Sequence, residues 1–252
     1  MTMKKMAALL CAAAALPWTA AGDMTLGGPM TLSGDITFST PTSYLQGNGN
    51  TLTLNGHSIL VGANATLYMT DVDINGVNGV NIRCVDATGT IVLYRVRYGL
   101  DGDYSFSNGT LRVASDFEIR GPHTFSFTSA GNLEVSSFGR FRVPWGTTFR
   151  YDPVNNSRTD MVFEDASAEI HLDGGTFDAP ADGVALTKGT LVIGNSVVLR
   201  NYDGASPNTN AAKAITLGDG VSVANDMHLV TLPGARLQAE GYLHNRNVGH
   251  EP

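Results

Sequence analysis

The chain has 252 residues, of which only 15% are charged, with 23 acids against 16 bases and a net charge of −7. That balance excludes nucleic acid as a general partner, because phosphate backbones are held by clustered Lys and Arg. Abundant Thr, Ser and Asn beside 29 glycines point to a turn-rich, secreted all-β chain.

Lys4 and Lys5, the apolar stretch Ala7 to Leu16, and Thr19-Ala20-Ala21 follow in the order of a secretory signal, with Gly22 as the expected new N-terminus. The apolar stretch is shorter than the roughly 20 residues that span a bilayer, and no second one follows, so no transmembrane segment is expected. The expected division is a signal peptide over 1–21, one domain with its caps over 22–244, and a flexible tail over 245–252. The mature protein is then secreted, to the periplasm, the cell surface or the medium. Without Lys4 and Lys5 it holds 14 bases against 23 acids, a net of −9. Its one cysteine, Cys84, can make no internal disulfide and alternates with Ile82 toward a core.

Past the signal, apolar residues recur at period two, the strand spacing, and no segment keeps a helical one. Leu52 and Leu54 share one face, as do Ile59 and Val61. Four segments then repeat one pattern: Ala65-Thr-Leu-Tyr-Met-Thr-Asp-Val-Asp-Ile74, Gly89-Thr-Ile-Val-Leu-Tyr-Arg-Val-Arg-Tyr98, Gly109 to Ile119, and Gly131 to Val143. Each is a strand, a kink and a second strand. A third strand per repeat follows at Val80/Ile82/Cys84, Tyr104/Phe106, Phe125/Phe127 and Phe149/Tyr151. Turns such as Gly47-Asn-Gly-Asn50 and Asn108-Gly109 supply residues that tolerate positive φ. The pattern weakens from about Pro144 to Ser167, where Pro144-Trp145-Gly146 and Asp152 to Ser157 read as a bulging loop, recovers at Glu169 to Leu172 and Gly189 to Leu199, and breaks again at Ala205 to Asn210. Thr25 to Phe38 and Gly241 to His244 are expected to cap the ends, and the tail from Asn245 to fray. Repeats of this length mean a solenoid, whose coils bury their apolar edges on one another. The fold expected is a right-handed parallel β-helix of about ten coils, with three short strands each; a β-sandwich is the alternative.

The outward pairs on the second strands alternate in sign: Asp71/Asp73, Arg95/Arg97, Asp116/Glu118, Arg140/Arg142, at spacings of 24, 21 and 24 residues. Stacked in parallel they face one another, and facing opposite charges favour the register that like charges oppose. A structural charge ladder is therefore the first reading of these eight residues. The second is a ligand face. Nine of the twelve arginines lie between Arg83 and Arg158 among seven acids. Arg95, Arg97, Arg140, Arg142 and Arg150, with Trp145, could hold an acidic glycan, since Arg forks pair with carboxylates and aromatic faces stack on sugar rings.

The Gly47 to Gly56 and Ala65 to Gly76 segments resemble coils of right-handed parallel β-helix proteins of the pectin-lyase-like class, in their secreted or surface-displayed bacterial form. The similarity covers roughly residues 45–235. It implies three parallel sheets and a surface groove that handles polysaccharides in the members that are enzymes, while other members are adhesins or structural passengers. Enzymatic signatures of the class are missing. Arg142-Val143-Pro144 begins a pectate-lyase element, but Gly146 and Thr147 follow it.

Other chemistry is sparse. Asp71/Asp73 and Asp101/Asp103 are carboxylate pairs that could take Ca²⁺ with turn carbonyls, but no metal site or other cofactor is assigned. Glu169, His171 and Asp173 line one strand face, and paired carboxylates can do acid–base work on a glycan. The function expected is a non-catalytic scaffold of a surface, matrix or adhesion kind that binds glycans or self-associates. The alternative is a polysaccharide lyase or glycoside hydrolase, with no catalytic residue assigned.

Overall fold

The computed structural model describes residues 18–20, 22–180 and 182–249. Alternating side chains give each short strand one apolar edge, and parallel stacking buries these edges in columns. The result is an all-β parallel β-solenoid of about 9 turns.

Each coil contributes to three sheets. In the first, Leu67, Ile91, Leu111, Leu133 and Met161 stand in register. The second carries Val72, Val96, Phe117, Phe141, Ile170, Leu191 and Leu229. The third carries Tyr104, Phe125, Phe149, Phe177 and Leu199, and its earlier coils carry Ile36, Ile59 and Ile82. Aromatic rings fill the middle of the stack. Phe117 lies over Phe141 at 5.2 Å between centroids, and Phe149 over Phe177 at 5.4 Å.

Four expectations need correction. Val80 is exposed rather than inward, and among the described residues no strand pairing joins Ile82–Cys84 to Tyr104. The corner after Asn75 shifts register, and the Tyr104 hydroxyl donates to the Ile82 carbonyl instead. The weakened stretch from Pro144 to Ser167 holds, besides the expected strand at Phe149/Tyr151, a further strand, Met161–Phe163, and both stack on the coil below. Neither expected cap is a cap. Met24–Thr25, Met30–Thr31 and Ile36–Phe38 pair as a coil, and Leu243–Asn245 pairs with Ile215–Leu217. Past Asn245, where the hydrophobic pattern ends, hydrogen bonds continue: Arg246 N–H donates to the Leu217 carbonyl at 2.7 Å, and Val248 and Gly249 N–H both donate to the Asp226 carboxylate at 2.8 Å.

The basic start and apolar stretch of the expected signal lie outside the described residues, while Trp18–Ala20 pairs with Ile36–Phe38. Among the described residues no helix is long and apolar enough to cross a membrane.

One glycine shows how tightly the coils stack. Gly109 has φ +83, and a Cβ there would lie 2.4 Å from the Gly89 carbonyl oxygen and 2.7 Å from the Cys84 sulfur. Only glycine fits that turn without displacing the coil below.

Candidate functional site

The corner between first and second sheets begins the charged face. Asp71 and Arg95 stand opposite each other there with φ of 50° and 55°, where the strand register steps from Thr70 and Tyr94 to Val72 and Val96. This left-handed bend lets the chain turn and leaves both side chains outside. Arg95 reaches Asp71 at 2.5 Å, and Arg97 reaches Asp73 at 2.5 Å.

The next coils keep the register that the alternating signs imply. Glu118 stands opposite Arg97 on one side and Arg142 on the other, and Asp116 stands opposite Arg140. The ion pairs follow the register only in part. Arg120, two residues along the same strand, holds Glu118 at 2.6 Å. Asp116 takes both Arg140 at 3.5 Å and Arg142 at 3.6 Å.

A fifth rung follows that the regular spacing hides. Glu169 stands opposite Arg140 and His171 opposite Arg142, and Arg140 donates to Glu169 at 2.6 Å. The loop before it stretches the spacing to 29 residues. The available signal was the likeness of Glu169-Ile-His-Leu172 to Arg140-Phe-Arg-Val143.

This face holds a shallow cleft of about 350 Å³, lined by Arg95, Arg97 and Arg142 with Asp71, Asp73, Asp116 and Glu118. The other three residues of the ligand reading lie elsewhere. Arg140 sits at the edge, between Asp116 and Glu169. Trp145 stands at the next corner, 73% exposed, with its ring over Gly174. Arg150 belongs to the third sheet, opposite Asp178, and reaches it at 2.7 Å. Asp178 is buried, and its other oxygen has no hydrogen-bond partner. Arg142 and Arg150, close in sequence, thus face different directions across the Trp145 corner.

The line Glu169, His171, Asp173 is equally committed to the stack. Arg140 holds Glu169, and the Asn195 side chain donates to Asp173. Burial, and then the nearby Arg142, hold the His171 imidazole below its usual range, against weaker opposite effects from Asp173 and Glu169. The folded protein therefore keeps His171 neutral at a pH where the unfolded chain, titrating near about 6.5, binds a proton. Stability from this group is complete above that value and falls as the pH drops below it. Replacing His171 with Gln should flatten the loss of urea midpoint between pH 7 and pH 5; a loss as steep as that of the native protein would refute this assignment.

The remaining candidates have local partners. The Asn78 side chain donates to Asp101 at 2.6 Å, and the Thr124 N–H donates to Asp103 at 2.8 Å. Among the described residues no three His, Cys, Asp or Glu side chains converge to hold a metal ion. Burial, reinforced by Asp86, pushes the Cys84 thiol up to about 12, so it stays protonated and unreactive. Comparison with protein-family models, with curated proteins and with solved structures finds no match.

Proposed function

We propose that this protein is a secreted, non-catalytic β-solenoid scaffold of the pectin-lyase-like type, which presents its second sheet to a glycan at a cell surface or in a matrix. One observation carries the reading: the charged side chains of that face are engaged with one another from coil to coil. Each arginine of the ladder has an acid within 3.6 Å, and Glu169 is held as well. A general acid or base needs a free carboxyl with a displaced pKa beside a substrate cleft, and this cleft offers paired ones.

The same face suits hydroxyl-rich polymers. Arg forks and carboxylates fixed in rows offer donors and acceptors along an open trough. Four carboxylates and three guanidiniums line it, which disfavours a strongly anionic chain. A neutral or weakly acidic polysaccharide fits the balance better.

The test is incubation with a panel of acidic and neutral polysaccharides, with and without calcium, followed by size-exclusion chromatography. The expected result is chains of unchanged length, one class of which co-elutes with the protein. Shortened chains would overturn the scaffold reading in favour of a lyase or hydrolase.

A further inference from the structure

The corner that leads into the second sheet recurs along the stack with a left-handed residue. Asn48, Asp71, Arg95, Phe138 and Lys188 all take it, with φ between 50° and 70°. Four of the five are polar. The fifth is a bulky apolar residue, in a region that asparagine tolerates and phenylalanine rarely enters. Burial does not explain it, since Phe138 is 84% exposed. The next coil holds this turn in place. Ser137 N–H donates to Glu164 at 2.9 Å, the Ser137 hydroxyl to Asp165 at 2.6 Å, and Phe138 N–H to the Ser167 hydroxyl at 2.9 Å. A strained residue fixed in this way, with its ring in solvent, points to a contact outside the molecule.

Trp145 stands at the other end of the same strand, Arg140–Pro144, and is 73% exposed. Gly174, on the next coil, has φ +82, and a Cβ there would lie 2.7 Å from the indole. The missing side chain gives the ring a seat. Phe138 and Trp145 thus bracket one rung, roughly 20 Å apart along the coil at about 3.3 Å per residue. Both stand outside the cleft, and the strand between them meets it at Arg142. Arg140 and Arg142 point outward between the two rings, already paired with Asp116 and Glu169.

We propose that Phe138 and Trp145 are the two aromatic anchors of a neutral glucan segment that lies along the Arg140–Pro144 coil, across the solenoid axis. This rests on the glycan-scaffold reading and deepens it, by naming the ligand class and the direction in which it lies. A pyranose ring with equatorial hydroxyls, as in β-linked glucose polymers, has C–H faces that stack on an aromatic ring. Its hydroxyl edges bond to rows of guanidinium and carboxylate. A uronate polymer would bring one charge per sugar to a row whose arginines already have acids. A protein partner closes over a contiguous apolar core, and these two rings stand apart with a charged strand between them.

The test is native gel electrophoresis with hydroxyethylcellulose in the gel, which should retard the unmodified protein. Phe138→Asn and Trp145→Ala should each weaken binding about tenfold, and Trp145→Phe much less. Val154→Ala, at an exposed valine outside this strand, should change nothing. Phe138→Asn should melt at or above the temperature of the unmodified protein, because asparagine enters the left-handed region more readily. Lost binding without lost stability is what a residue kept for a ligand predicts. A clear fall in that melting temperature would assign Phe138 to packing and overturn the proposal. Equal retardation of the unmodified, Phe138→Asn and Trp145→Ala proteins, or retardation by polygalacturonate and not by hydroxyethylcellulose, would also overturn it and leave the glycan-scaffold reading standing. An unmodified protein retarded by no polysaccharide would overturn both.

Discussion

Phe125→Ala should lower stability by about 3–5 kcal/mol, as large-to-small changes at fully buried aromatics do. Phe125 is 0% exposed and touches four rings: Tyr104, Phe117, Phe141 and Phe149. Two of these belong to the second sheet, and two to the coils below and above in the third. Deleting the ring therefore opens a cavity where two sheets and three coils meet, and neighbours fixed by their own strands cannot collapse into it. Phe177→Ala removes a ring of the same size with one aromatic neighbour, Phe149, and should cost less, because aromatic pairs add about 0.5–1.5 kcal/mol each beyond area burial. Phe138→Ala is the control, since that ring is 84% exposed. Urea unfolding of the three variants ranks them. Equal midpoints for Phe125→Ala and Phe138→Ala would contradict the packing described for the core.

How much of this was legible before the structure depends on what each residue answers to. The inward columns were legible because a two-residue period and β-branched or aromatic side chains encode the buried face directly. The charge register was legible for the same reason: Asp73, Arg97, Glu118 and Arg142 keep a fixed offset from inward neighbours. The fifth rung was hidden by an insertion, since the loop from Asp152 to Asp160 changes the spacing and leaves the strand pattern intact. The grouping of Arg150 and Trp145 with Arg142 failed for a geometric reason. Sequence distance ignores the corner at Trp145, which turns Arg150 onto another sheet. The ends were read as caps because their apolar residues are sparse, yet Ile36 and Leu243 pair in register like any other coil.

Reversing one rung tests whether the ladder holds the stack in register. Arg140→Asp with Arg142→Asp removes the contacts to Asp116 and Glu169 and sets new carboxylates opposite Asp116, Glu118 and Glu169. Facing like charges cost about as much as facing opposite charges contribute, roughly 0.2–1 kcal/mol per pair. The side chains involved are 26–52% exposed, so screening by solvent places each at the lower end, and the double change should cost about 1–3 kcal/mol. Because the effect is electrostatic, it should shrink in 1 M salt, where charges are screened within about 3 Å; a loss of packing would not. Adding Glu169→Arg to the double variant restores opposite charges across one of its two interfaces. Part of the lost melting temperature should return, since position 169 stands opposite position 140. Glu164→Arg, on the neighbouring turn, should restore less. If Glu169→Arg rescues no better than Glu164→Arg, the rungs do not act through the register, and the alternating signs serve something other than the stack.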